Sequence, residues 1–495
     1  MAMPDNLYDA KGSRVADERA RQVLDVSAAA LMTRAARAAF DVLLQRYPHI
    51  KAVSVWCGKG NNGGDAFLLA AMAQDLGLAV QLVRVAPLEE LSGDALAAHQ
   101  RALKAGILPV DYGSDLIVRG DVIVDGLLGT GVHGTPCAAY TDAIAAINAS
   151  AAPVLSIDVP SGVDVSSGDT PGVAVQAEVT VTFITSKVGL ATGAGLHMAG
   201  DVVFASLGVP DEIYPPTKFS RLAWLPDSLA TLNQRAYKHE HGHALVIGGA
   251  TGMAGAIVLA SRAALRAGTG LASVVTMPAH AAIVIGATPE AMVVTDAQLE
   301  QKFSDANVLV VGPGLGRVGW GVELYRRAEA SGLPTVLDAD GLYHLAEAQQ
   351  WLGGRLFITP HSGEAARLLQ ISPAVIEADR LGSAQMLAER FNADVALKGP
   401  GTVVASALGD EVSICQHGNP GMASAGMGDV LAGLLGGLLA GPFRRGQVEL
   451  SDLFAQGVAL HSAAADHAAQ SVGQRSLLAS DVVDALPAMF RGEVK

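Results

Sequence analysis

At 495 residues the chain exceeds what one hydrophobic core organises, so two or three domains are expected. Half its residues are hydrophobic and 17% charged, which excludes a disordered chain, and a net charge of −14 argues against nucleic acid or an anionic membrane as partner. Cys57, Cys137 and Cys415 lie far apart with no metal-ligand spacing, as expected in a reducing cytoplasm.

The start, MAMPDNLYDAKGSR, lacks the apolar core of a signal peptide. The greasiest stretch, Val430 to Gly441, is short and glycine-broken, whereas a membrane helix needs about 20 apolar residues. A soluble, cytoplasmic chain without a membrane partner is therefore expected. In chain order the predicted strands are AVSVW, AVQLVRV, DVIVDGLL, PVLSIDV and VTVTFIT, then HALVIGG, LASVVTM, VLVVGPG, PTVLDAD and LFITP. Helical stretches such as TDAIAAINAS and VELYRRAEASG lie between them. This alternation predicts an α/β protein with a mostly parallel sheet covered on both faces. The pattern lapses at Gly208 to Asp227, which holds four prolines, so a domain boundary is expected near residues 212–222.

In the first half, WCGKGNNGGDAF (Trp56 to Phe67) joins a strand to a helix. Gly58, Gly60 and Gly63 let backbone approach a ligand, and free helix-start N–H groups favour an anion. The spacing is neither GxGxxG nor a phosphate loop, and a tight turn alone also calls for glycine. DGLLGTGVHGT follows a strand, SIDVPSGVD sends Asp158 out of a strand end, and TFITSKVGL does the same for Lys187. Ligands of open parallel sheets sit beyond the carboxyl ends of strands, so these segments are expected on one rim. Taken singly, Asp125 or Asp158 reads better as a turn cap; two acidic strand ends with two glycine loops and a strand-end lysine weigh against that reading.

GxGNNGGD, DGLLGTG and DVPSG, in this order, resemble the epimerase domain of the NAD(P)H-hydrate repair proteins over residues 1–212. The resemblance implies a Rossmann-like three-layer fold and a potassium ion on Asn62, Asp125 and Ser161. It also implies a substrate site lined by Asn61, Asn62, Gly63, Gly64 and Asp65, by Gly129, Thr130, Gly131, Val132, His133, Gly134 and Thr135, and by Asp158. Potassium suits neutral oxygens joined by one carboxylate. Epimerising a hydroxylated nicotinamide carbon needs reversible C–O cleavage or ring opening with proton relay; Asp158 can move the proton, and Lys187 can hold phosphate or assist. Two positions depart from the family pattern: Ala66 stands where glycine is frequent, and Ala35 to Arg37 replace an Ala-Gly in the first long helix, neither touching the expected ligands.

In the second half, GNPGMASAGMGDVLAGLLGG (Gly418 to Gly437) leads a glycine-lined turn into a helix with Asp429 at its start. Backbone N–H groups there stabilise a transferring phosphoryl group, and Asp429 can take the proton of the attacking hydroxyl. A helix-capping aspartate explains none of these glycines. The arrangement resembles the ribokinase-like family. With GGATGMAGA, GPGLG, DAD, PHSGE and KGPGT before it, it resembles the NAD(P)H-hydrate dehydratase branch over about residues 230–490. That resemblance implies that Ala256, Gly314, Gly316, His361 and Asp429 contact the hydrated cofactor. It further implies that Lys398, Gly399, Pro400, Gly401, Thr402 and Gly428 contact the adenine nucleotide. HEHGH, were it a strand, would put His239, His241 and His243 on one face like a zinc triad, but it directly precedes the first strand of this half, where exposed polar residues are ordinary, and it lacks a fourth ligand.

The combined reading is a bifunctional repair enzyme. Residues 1–215 would interconvert R and S hydrates of NADH and NADPH, and residues 222–495, with a ribokinase-like three-layer fold, would dehydrate the S form at the expense of ADP or ATP. Magnesium with the nucleotide and a homo-oligomer are also expected. The rival enzyme reading is a small-alcohol or vitamin kinase with an appended regulatory domain. The rival without chemistry is a binding module that kept only the fold.

Overall fold

The Val- and Ile-rich runs fold as strands and the alanine-rich stretches between them as helices. A computed structural model describes residues 3–113, 115–131, 134–226, 237–441 and 449–492, and its contacts divide into two compact units, Met1–Ser220 and Arg221–Lys495.

In the first unit a wholly parallel sheet runs Val110–Asp111, Ala79–Arg84, Ala52–Cys57, Val122–Gly126, Val154–Ile157, Val179–Phe183, Asp201–Ala205. Side chains alternate across a strand, so each face buries its own set. Val53, Val55 and Val124 pack with Phe40, Leu43 and Phe67 on one face, while Trp56 and Ile123 pack with Ile144 and Ile147 on the other. The strand order reverses between Ala52–Cys57 and Val122–Gly126. At such a switch point the loops diverge and leave a crevice beyond the carboxyl ends.

Several elements of this unit are not expected from sequence, and two of them shape it. Asp201–Ala205 closes one edge of the sheet, and a helix spans Ala10–Leu24, capped by Asp9, whose side chain accepts from the Gly12 N–H. The buried positions of that helix are only Ala10, Ser13, Ala16 and Ala20, so it carries no stripe of large apolar residues. A short strand, Asn6–Tyr8, leads into it, with Tyr8 paired to Lys187 and Asn6 to Ser220.

In the second unit parallel strands run Met292–Val293, Leu271–Val275, His243–Ile247, Val308–Val311, Thr335–Leu337, Leu356–Ile358, Ala393–Leu397, followed by antiparallel Val403–Ser406 and Val412–Cys415. The order reverses between His243–Ile247 and Val308–Val311. Helices Ala254–Arg266, Met427–Ala440, Leu450–Val472 and Ala479–Phe490 share one core with Val246, Val310, Val336 and Phe357.

The glycines of GLLGG let two of these helices touch. A Cβ on Gly433 would stand 2.0 Å from the Ala260 carbonyl oxygen, and one on Gly437 2.3 Å from that of Ala264. Met427–Ala440 can therefore lie directly on Ala254–Arg266, which fixes where Asp429 begins its helix. Gly433→Val is expected to destabilise the second unit by about 1–3 kcal/mol through overpacking. Gly286, in helix Ala281–Ala287, has nothing within 4 Å of where a Cβ would stand. Gly286→Ala should therefore leave the thermal unfolding midpoint unchanged or raise it. Equal midpoints for the two variants would refute the close approach.

Candidate active sites

In the first unit the switch point opens into a cavity of about 710 Å³, lined among others by Asn61, Asn62, Asp65, Gly129, Thr130, Gly131 and Asp158. The glycine loop is bare chiefly because two loops meet there: a Cβ on Gly58 would stand 1.8 Å from the Leu127 carbonyl oxygen. Gly63 and Gly64 are buried in the same packing, against Gly58 and Met32, and do not line the cavity. Gly134 and Thr135 do not line it either, and Val132 and His133 lie outside the described residues.

Behind the wall, Asp125 is wholly buried and accepts from Ser161 Oγ at 2.6 Å, Ser156 Oγ at 2.8 Å, the Ser161 N–H at 2.9 Å and the Leu127 N–H at 3.2 Å. Burial pushes its carboxyl up, and these hydrogen bonds oppose the shift. Asn62 Nδ2 donates to the Leu128 carbonyl at 2.8 Å, while its Oδ1 is buried without a hydrogen-bond partner among the described residues. Ser161 Oγ reaches the same Leu128 carbonyl at 3.3 Å. Asn62 and Ser161 thus meet at one backbone carbonyl, Ser161 also binds the Asp125 carboxyl, and the Asn62 amide oxygen is left without a partner among the described residues. That donor set fits a large, weakly hydrated monovalent cation.

Asp158 follows its strand with φ +64°, a left-handed conformation uncommon outside glycine. Its Oδ1 accepts from Lys187 Nζ at 2.6 Å, from the Phe183 N–H at 3.3 Å and from Thr182 Oγ1 at 3.4 Å. Lys187 is buried, its ammonium also donates to the Phe183 carbonyl at 2.7 Å, and it does not line the cavity. The lysine expected to hold phosphate or assist is thus turned onto Asp158 rather than into the cavity. Asp65 is buried beside them, and burial first, then the charges of Asp158 and Asp17, push its carboxyl well up.

In the second unit the Lys398 ammonium is bonded to Asp338 Oδ1 at 2.6 Å and lies 3.8 Å from Glu364 Oε2. Thr359 Oγ1 donates to the same Asp338 oxygen at 2.9 Å. Burial works against the ammonium, but Asp338 and Glu364 outweigh it and hold Lys398 above the usual lysine value. A Cβ on Gly428 would stand 3.0 Å from Asp338 Oδ2 and 3.4 Å from Lys398 Nζ, so the helix start rests directly over this ion pair. The next residue, Asp429, is pushed up to about 7 by burial and by Asp338, with Lys398 opposing.

Around this centre, His361 caps helix Ser362–Leu369, its Nδ1 accepting from the Gly363 N–H at 3.0 Å. Gly399, Pro400, Gly401 and Thr402 turn the chain between antiparallel strands, over the wholly buried Arg380, which donates to the Leu397 and Lys398 carbonyls. Gly314 and Gly316 both have positive φ, and Asp340 ties their loop by accepting from the Gly316 N–H at 2.9 Å and from Arg317 Nε at 2.8 Å. Ala256 is buried in helix Ala254–Arg266. HEHGH does not form a strand that would present three histidines on one face, in keeping with its place just before the first strand of this half. His239 and His241 sit in the turn Lys238–His241, and only His243 enters a strand, buried against Ser273 Oγ at 2.8 Å.

Residues 244–488 match the family described as NAD(P)H-hydrate dehydratase, and residues 28–189 the one described as YjeF-related protein N-terminus. A bifunctional NAD(P)H-hydrate repair enzyme of Coxiella burnetii is 40% identical over 91% of this chain and 93% of its own. The chain belongs to the bifunctional NAD(P)H-hydrate repair enzymes. The counterpart of Escherichia coli K12 is 38% identical over 100% of this chain and 96% of its own. Among solved structures, a ribokinase-like superfamily protein from Enterococcus faecalis V583 is similar at 26% identity and a TM-score of 0.51, over 57% of this chain and 98% of that one. Both matched families join in one α/β chain, as the motifs imply.

Several wall residues of this repair enzyme carry no motif in the sequence. Arg14, Asp17, Glu18 and Arg21 line the first cavity from helix Ala10–Leu24, which precedes the matched family segment. Ala35, one of the departures from the family pattern, also stands on that wall, whereas Ala66 packs under Gly126. Asp338 and Glu364 stand in DAD and PHSGE, but their partner Lys398 lies 60 and 34 positions further on. The usable signal was two acids beyond strand ends in a chain where ligand groups collect there.

Proposed function

We propose that residues 1–215 interconvert the R and S hydrates of NADH and NADPH, and that residues 222–495 dehydrate the S form at the expense of ADP or ATP. The observation that carries this reading is Asp429, held half-buried at a glycine-rich helix start over the Lys398–Asp338 pair. A hydroxyl is a poor leaving group until phosphorylated. Asp429 takes its proton, the Gly428 backbone and Lys398 face the transferring phosphoryl group, and the ring nitrogen's electron pair then expels phosphate. Loss of a proton from the neighbouring ring carbon forms the C=C bond and returns the pair to nitrogen. Magnesium would arrive on the nucleotide's phosphate oxygens, as this cation prefers. Asn62, Asp125 and Ser161 would hold potassium, which supplies a fixed positive charge behind the epimerase wall.

The three cysteines are unpaired, which suits a reducing cytoplasm, and no described helix is long and apolar enough to cross a membrane. A homo-oligomer completes the reading. Similarity to bifunctional repair enzymes along both units disfavours a lone vitamin kinase. The test is to mix the purified chain with hydrated NADH of both epimers and ADP, and to follow absorbance of regenerated NADH. Complete recovery is expected, and none without nucleotide. Recovery that stops at one epimer would refute the epimerase half, and no recovery with either ADP or ATP would refute the dehydratase half.

A further inference from the structure

We propose that Asp17, on the N-terminal helix, is the catalytic acid and base of epimerisation, exchanging one proton with the hydroxyl of the hydrated nicotinamide ring. The proposal rests on the reading of residues 1–215 as the epimerase.

The helix is fixed to the site by two contacts distant in sequence. The Ala10 N–H donates to Ser166 Oγ at 3.1 Å, and Ser13 Oγ bonds Thr185 Oγ1 at 2.9 Å. Thr185 lies between Phe183, which lines the cavity, and Lys187, the partner of Asp158. Asp17 stands four residues after Ser13, hence on the same helix face one turn on. It therefore lines the cavity together with Asp65 and Asp158.

The two carboxyl groups have different work because their surroundings differ. Asp158 is bound to the Lys187 ammonium at 2.6 Å, which occupies one of its oxygens. Among the described residues no hydrogen bond from the Asp17 carboxyl is seen, and its side chain is open to water through the cavity it lines. Although water reaches its carboxyl, the cavity walls around Asp17 displace part of its hydration and raise it to about 6, with Lys187 opposing, Asp158 adding and Arg21 opposing. Asp65 faces the same space from helix Asn61–Asp75, and Arg14 and Glu18 from Asp17's own helix. A carboxylic acid with that value is suited to give and take a proton near neutral pH.

The step balances with water alone. Asp17 protonates the hydroxyl; the C–O bond breaks with its electron pair on oxygen, releasing water. The lone pair of the adjacent ring nitrogen forms a C=N bond. Water then adds to the opposite face of that carbon, the C=N pair returns to nitrogen, and the added water gives its extra proton to the Asp17 carboxylate. The enzyme ends as it began, and the carbon is inverted.

The test uses the whole chain, with dehydration of the S form in the same preparation and thermal unfolding as checks that each variant is folded. Asp17→Asn is expected to lower kcat for epimerisation of purified R hydrate at least about 100-fold, with KM changed little. Asp17→Glu should recover part of the rate. Because the acid must be protonated, wild-type epimerisation should fall as pH rises through about 6, and that limb should vanish in the residual activity of Asp17→Asn. A wild-type kcat in Asp17→Asn, or an unchanged pH limb, would overturn the role of Asp17. A wild-type chain that dehydrates but never epimerises would instead overturn the reading of residues 1–215, and this inference with it.

Discussion

Asp429→Asn is expected to slow nucleotide-dependent dehydration by a factor of about 10² to 10⁴, while epimerisation in the same preparation keeps its wild-type rate. Asparagine preserves size and a hydrogen bond at the helix start but cannot accept the hydroxyl proton. The nucleotide should still bind, since Lys398 keeps its bond to Asp338 and the KGPGT turn keeps its support on Arg380. The pH profile adds a second criterion. Burial and the Asp338 charge raise Asp429 to about 7 against the opposing charge of Lys398. A base works in its deprotonated form, so wild-type dehydration should rise with pH through about 7 and then level off. In the asparagine variant this rise should be missing. Both activities are measured on one epimer mixture, with and without ADP. Near-normal dehydration by the variant would remove Asp429 from the chemistry and the kinase-like mechanism with it.

What can be read from the sequence follows from what is local. A parallel sheet places every strand end on one rim, so GNNGGD, DGLLGTG and DVPSG had to converge once their strands were recognised, and Asp158 and Asn62 duly share a cavity wall. Lys187 looks equally free at a strand end, but the chain folds it back onto Asp158 and the Phe183 carbonyl. Spacing along the chain cannot reveal that. The bare loop after Trp56 reads as an approach to a ligand, whereas Gly58 is needed because the Leu127 backbone passes 1.8 Å from where its Cβ would be. Helix Ala10–Leu24 escapes notice for a different reason. Its core face is alanine and serine, and its outward face is charged, so no period of large apolar residues announces it. Its seat depends on the bond of Ser13 to Thr185, 172 positions away.

Asp125→Ala should abolish both most of the epimerase activity and its dependence on potassium. The loss of rate alone would not discriminate, because Asp125 accepts hydrogen bonds from the Leu127 and Ser161 N–H groups and from the Ser156 and Ser161 hydroxyls. Stranding buried donors costs about 1–3 kcal/mol each, so the loop would shift with or without an ion. Two further measurements separate these causes. A cation that binds only the folded state stabilises it by RT ln(1 + [L]/Kd), about 2.7 kcal/mol at 100 times Kd. The wild-type unfolding midpoint should therefore rise with potassium chloride more than with the chloride of a bulky organic cation, and the Asp125→Ala midpoint should not. Asn62→Ala is the milder probe. It deletes the orphaned Oδ1 and the bond to the Leu128 carbonyl yet leaves every hydrogen bond of Asp125 in place. Weaker potassium dependence in that variant, with Asp125 still caged, would tie the ion to the amide oxygen. Epimerisation equally fast in potassium, sodium and a bulky organic cation would show that these oxygens serve only to lock the loop.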